Sequence, residues 1–152
     1  MLALVYWSES SLVIEHSIRT SAKPETVFAI YEKVEQWPSW DPDTQAAILA
    51  DGLSLGSKGL LTPTKGKAVP MEVTAVMPNR SFTVSSAIPL FKMTFEHELT
   101  PTGKETTITH RVHFSGALAF LLGRLIGKQL NQGLPITLQR LKAFAESTKT
   151  KG

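Results

Sequence analysis

Cysteine is absent from this 152-residue chain, which excludes disulfides, thiolate nucleophiles and most structural zinc sites. Charge is sparse. Only 19% of residues are Asp, Glu, Lys or Arg against 42% hydrophobic ones, a balance that reads as globular rather than disordered. No stretch of about 20 apolar residues occurs, because Arg124 and Lys128 interrupt the longest candidate at 117–126. The opening Met1–Trp7 is apolar, yet it carries neither a basic leader nor a small-residue cleavage site, so a cytoplasmic location is expected. No GxGxxG, GxxxxGK, HExxH, nucleophile or paired-carboxylate motif is present, and no cofactor or metal is expected. The formal charge of +3 is loaded at one end, with Arg140, Lys142, Lys149 and Lys151 in the last thirteen residues. No Lys/Arg stripe is interleaved with aromatics, so a nucleic-acid partner is not expected.

What the chain does contain is alternation. Phe91, Met93, Phe95, His97 and Leu99 alternate with Lys92, Thr94, Glu96 and Glu98. After Pro101-Thr102-Gly103-Lys104, a second run sets Thr106, Ile108, His110, Val112 and Phe114 against Thr107, Thr109, Arg111 and His113. Period two on both sides of a glycine turn predicts a long antiparallel hairpin with one dry face, and each run puts a histidine on that face. Pairing set by a turn at 102 and 103 places His97 opposite Ile108 and Phe95 opposite His110. The two imidazoles are then diagonal neighbours, about 6 to 8 Å apart at the backbone.

Upstream, Leu12, Ile14, His16 and Ile18 mark a first strand over about 10–19. Thr20 or Ser21 is expected to cap a short helix with Pro24 in its first turn and Val27, Phe28, Tyr31 and Val34 on its buried face. Pro38 and Pro42 stop that helix. Short strands follow over about 44–51, 57–64, 67–77 and 80–87, separated by turn signals at Asp51-Gly52, Lys65-Gly66, Pro78-Asn79 and Pro89. Helical spacing returns at Leu118, Leu121, Leu122, Leu125 and Ile126, then at Leu134, Leu138, Leu141 and Ala145. One long helix over about 117–147 is predicted, kinked or split at Gly133 and Pro135. Strand, helix, six strands and a long helix make an α+β domain spanning 1–152, with a core over 11–147 and frayed ends at 1–9 and 148–152.

That order resembles the START-like helix-grip superfamily, also called SRPBCC, and in particular its bacterial polyketide cyclase/dehydrase-like branch. The resemblance rests on Ser21-Ala22-Lys23-Pro24-Glu25-Thr26-Val27-Phe28, on Glu35-Gln36-Trp37-Pro38-Ser39-Trp40-Asp41-Pro42, and on the closing Leu138-Gln139-Arg140-Leu141-Lys142. It implies a seven-stranded curved antiparallel sheet wrapped around the last helix, with the seventh strand between the first and the sixth. His16, His97 and His110 then sit on three neighbouring strands.

A sheet curled on a helix leaves room for a pocket, and the function expected of it is binding of a small hydrophobic ligand such as a lipid, isoprenoid, polyketide or aromatic compound. The candidate ligand-binding residues are His16, Trp37, Met71, Phe82, Phe91, Met93, Phe95, His97, His110, Val112, Leu134 and Leu138. Met77 shares their inward phase. Each apolar member either lines a hollow or fills it, and each histidine either contacts ligand or is a satisfied core residue. An alternative is a cyclase, dehydratase or hydrolase using His97 or His110 as acid and base. Glu15, Glu96 and Glu98 fall in the outward phase, which leaves three histidines without a carboxylate to orient them on a metal. Trp40 reads as a plug against the helix, whereas Trp37 suits either packing or a lid. The apolar segment 117–126 reads as buried core, a lid, a homodimer contact or a docking surface for a membrane or partner.

Overall fold

The computed structural model describes residues 4–8 and 11–149, with side chains over 12–148. Its strands are β1 (Leu4–Ser8), β2 (Ser11–Thr20), β3 (Thr44–Leu49), β4 (Lys58–Pro63), β5 (Val69–Met77), β6 (Ser81–Ile88), β7 (Phe91–Thr102) and β8 (Glu105–Ser115). Two helices accompany them, α1 (Pro24–Glu32) and α2 (Ala119–Lys149), with a 3-10 turn at Val34–Ser39. One antiparallel sheet runs in the order β1-β2-β8-β7-β6-β5-β4-β3. All seven expected strands are present, with β8 between β2 and β7 as the resemblance implied. Residues 4–8, expected to be frayed, add an eighth strand at the edge by pairing with β2. Residues 1–3, 9–10 and 150–152 lie outside the described residues.

The hairpin turns one residue later than expected. Thr102 pairs with Glu105, so Gly103 and Lys104 form a two-residue turn. Gly103 supplies the left-handed φ (+64°) that such a turn requires at its first position. The shift puts His97 opposite His110 rather than Ile108, a correction that moves every cross-strand pair by two residues. His16 also lies opposite His110. The three histidines therefore form one straight row across β2, β8 and β7.

A second correction concerns β5. An extra residue at Thr74 shifts the register between Val73 and Ala75, so the inward phase passes to Val76 and Met77 turns out, 60% exposed. A third concerns α1, whose N-cap is Lys23 without a side-chain cap bond; Pro24 opens the first turn as expected. Thr20 instead accepts the Ala22 N–H and donates to Glu146 on α2.

The long helix does not split. Pro135 lies inside it and removes the donor for the carbonyl four residues back, at a cost of about 3 kcal/mol in an isolated helix. Leu134, Leu138, Leu141 and Ala145 are buried on either side of the proline. Each leucine contributes roughly 1.5–3 kcal/mol by burial, which holds the helix against β2 and β8. The outer face of the sheet is polar. Arg111 on β8 donates to Glu15 on β2 (2.6 Å) and Glu96 on β7 (2.7 Å). Partial burial is the largest influence on the Glu96 carboxylate and works against it, but Arg111 and His113 together outweigh it and leave its pKa below the usual range.

Candidate functional site

The histidine row separates two apolar clusters. On one side lie Leu12, Ile14, Phe91, Val112, Phe114 and Leu134, with Met93, Phe95, Leu122, Ile126 and Leu130 packed against them. On the other lie Tyr31, Trp37, Trp40, Phe82, Ile108, Leu138 and Leu141. Each histidine has a different polar or aromatic neighbour. His16 Nε2 is 2.8 Å from Asn131 Oδ1 of α2 and donates to it. His110 Nε2 is 2.9 Å from the Tyr31 hydroxyl of α1. His97 stacks on Phe82, ring centroids 4.0 Å apart, and meets His110 edge-on at 4.6 Å.

Tyr31 is the hub. Its ring contacts Phe28, Trp40, Phe82, His97 and His110 at centroid distances of 4.9 to 6.4 Å, and its main-chain carbonyl accepts the Trp37 indole N–H at 2.9 Å. That bond ties Trp37 to the end of α1, with its ring 6.0 Å from that of Phe82. Trp40 is 3% exposed and sits 6.3 Å from both Trp37 and His110.

Burial sets the chemistry of these groups. Desolvation pulls the His97 pKa down to about 4. It also drives His110 well below the ordinary value, with the neighbouring His97 adding to the effect. Burial pushes the Tyr31 hydroxyl up, so it stays protonated. At neutral pH Tyr31, His97 and His110 are therefore uncharged, and no Lys, Arg, Asp or Glu is fully buried among the described residues.

Two observations set β7 and the polar row apart from the rest of the interior. Met93, Phe95 and His97 occupy inward positions on β7 but keep accessible surface, unlike their partners Phe114, Val112 and His110 on β8. The helix explains the contrast, since α2 covers β2 and β8 and reaches only the near part of β7. His16 Nδ1, His97 Nδ1 and Trp40 Nε1 are also buried without a hydrogen-bond partner, each leaving a desolvation cost of roughly 1–3 kcal/mol unmet.

The structure brings His16, Trp37, Phe82, His97, His110 and Leu138 together around the row. It places Phe91, Met93, Phe95, Val112 and Leu134 in the adjoining apolar half. Phe82, Val112 and Leu138 have almost no accessible surface. Met71 is buried in the far cluster with Leu49 and Val73. Sequence reading missed Tyr31 as more than a core residue and missed Asn131 altogether. The latter had a signal, for Asn131 lies seven residues before Leu138 on the helix.

A curved antiparallel sheet closed by one long helix, with a polar row in an apolar interior, defines a helix-grip α+β protein. Residues 11–146 match the family described as "Polyketide cyclase / dehydrase and lipid transport", and the chain belongs to that family. No curated protein sequence matches it. Among solved structures it is similar to the di-domain ARO/CYC StfQ from the steffimycin biosynthetic pathway (TM-score 0.75, 15% identity). The match covers 93% of this chain and 52% of StfQ, about half the length of that protein. It is similar also to a Thalictrum norcoclaurine synthase point mutant in complex with a transition-state analogue (0.73, 15%, 95% and 99% of the two chains). A START superfamily protein from Mycobacterium smegmatis scores 0.69 at 18% identity over 90% and 98%. At these identities the likeness establishes the fold. No helix among the described residues is long and apolar enough to cross a membrane.

Proposed function

We propose that the chain binds an uncharged, largely apolar small molecule beneath α2, with a carbonyl or hydroxyl group of the ligand placed at the histidine row. One observation carries the reading. His97 Nδ1 and Trp40 Nε1 are buried and unpaired, and both rings contact Tyr31 and His110, next to inward-facing Met93 and Phe95 that retain accessible surface. A ligand oxygen accepting from Trp40 or pairing with His97 would recover the desolvation cost of those atoms. Burial of the ligand's body would add roughly 25 cal/mol per Å² of apolar area. The absence of a fully buried formal charge among the described residues favours neutral ligands over carboxylates or phosphates, whose desolvation nothing inside would offset.

The Tyr31–His110 hydrogen bond favours a second reading, a cyclase or dehydratase in which the pair passes a proton. Burial and the neighbouring His97 hold the His110 pKa well below its ordinary value, and burial raises that of Tyr31, which argues against it, because a general acid or base works best poised near the operating pH.

Nile red, an uncharged dye with one carbonyl, tests the first reading in a Trp7→Phe background, where emission comes from Trp37 and Trp40. Saturable quenching that weakens in His97→Phe, and that palmitate fails to reverse, is the expected result. A flat titration would remove the binding role. Native mass spectrometry of the gently purified protein should reveal a neutral adduct, and a turnover product lost in His97→Phe would favour the enzyme.

A further inference from the structure

The first turns of α2 are not covered. Phe120, Leu121 and Leu125 are 64%, 68% and 74% exposed, which corrects the reading of 117–126 as buried core. Only Ala119 and Gly123 of this stretch are buried, with Gly127 just beyond it. The turn between β6 and β7 abuts the same end, for the Leu118 N–H donates to the Leu90 carbonyl at 2.9 Å. Leu90 is itself 64% exposed and Ile88 44%. Together these side chains form an apolar tip built from two separate segments.

Charge says what such a tip would meet. Residues 106–145 contain no Asp or Glu, while Arg124 and Lys128 are interleaved with the exposed Phe120, Leu121 and Leu125 on the same turns of α2. The Arg124 guanidinium lies 4.5 Å above the Phe120 ring, so cation and apolar side chain already share one surface. An apolar end backed by a cationic collar matches a bilayer interface, with long basic stems reaching back to the headgroups. A soluble acidic partner would leave the apolar side chains of Leu90, Phe120, Leu121 and Leu125 bare.

We propose that this end of α2, with the Leu90 turn, docks on a membrane surface rich in anionic lipid. Leu90, Phe120, Leu121 and Leu125 enter the acyl boundary, and Arg124 and Lys128 stay at headgroup level. The opposite side of the same turns carries Leu122 and Ile126 against the apolar half of the interior, so docking sets that interior beside the bilayer. The proposal does not depend on the ligand-binding reading.

Vesicle co-sedimentation tests it. The full chain should pellet with phosphatidylcholine/phosphatidylglycerol vesicles and roughly tenfold less with phosphatidylcholine alone, and added salt should reduce binding to the former. Leu121→Asp/Leu125→Asp should abolish pelleting, and Arg124→Gln/Lys128→Gln should abolish the lipid preference. Both variants change exposed positions and should keep the wild-type circular dichroism and Tm. Failure of the wild type to pellet with either vesicle overturns the proposal. So does equal binding to both vesicles that is unchanged in Arg124→Gln/Lys128→Gln. A dimer of the wild type that Leu121→Asp/Leu125→Asp converts to monomer, without vesicle binding, assigns the tip to a second copy and overturns it as well.

Discussion

The Tyr31–His110 bond is the most exposed to test of the polar contacts, because neither partner can be satisfied by water where it lies. Tyr31 is 0% and His110 3% accessible. Tyr31→Phe keeps the edge-on ring contacts but leaves His110 Nε2 alone, and should cost about 1–3 kcal/mol in denaturant unfolding. An unchanged midpoint would mean that the bond contributes nothing net. His97 predicts a pH response whose sign follows from its folded pKa lying below the unfolded one. Above pH 6.5 both states are neutral and His97 adds no dependence. As pH falls from 6.5 toward about 4, the unfolded chain gains a proton that the folded one refuses. Stability therefore drops across that window, by on the order of 3 kcal/mol for His97, and His110 steepens the fall. His97→Phe should make the acid limb shallower when unfolding is followed from pH 7 to 4; an unaltered limb would show that the imidazole is not held neutral.

At the scale of elements, two glycines at the β8–α2 junction should respond in opposite directions. Gly116 has φ +100°, and a Cβ there would lie 2.6 Å from the Leu90 carbonyl oxygen, so Gly116→Ala should lower stability by roughly 1–3 kcal/mol. Gly123 sits inside α2, where a Cβ would make ordinary contacts of 3.5 to 3.7 Å with Leu12 and Phe114. Gly123→Ala should raise stability by about 0.5–1 kcal/mol through helix propensity. Thermal unfolding of the pair checks both. Their spacing in the sequence offers no hint of this difference. Gly103 marked the hairpin, and the alternation of Phe91 to Leu99 marked the dry face, because turn and period are local properties. The bulge at Thr74 was invisible, since an extra residue leaves the apolar count of β5 unchanged and only the partner strand reveals it.

For the whole molecule, α2 covers the sheet unevenly, closely over β2 and β8 and less over β7, and the proposed ligand space lies on the less covered side. A ligand filling that space binds only the folded chain. Nile red at about a hundred times its Kd should therefore stabilise the protein by roughly 2.7 kcal/mol. A Tm that does not move with dye concentration would contradict an interior able to accept it. The histidine row itself is a product of this scale. His16 and His110 are 94 positions apart (110 − 16) in the chain, and only the crossover that inserts β8 between β2 and β7 sets them side by side.

Local alternation and helical spacing determined the elements, their order and most of the inward residues, because burying one face of a strand or helix depends on the period of its own side chains. The tertiary structure alone decided the register that aligns the three imidazoles, the pairing of Tyr31 with His110 and Asn131 with His16, and the uncovered end of α2. Each of those depends on how far one element slides or overhangs against another, a distance set by packing and not written in the period of either.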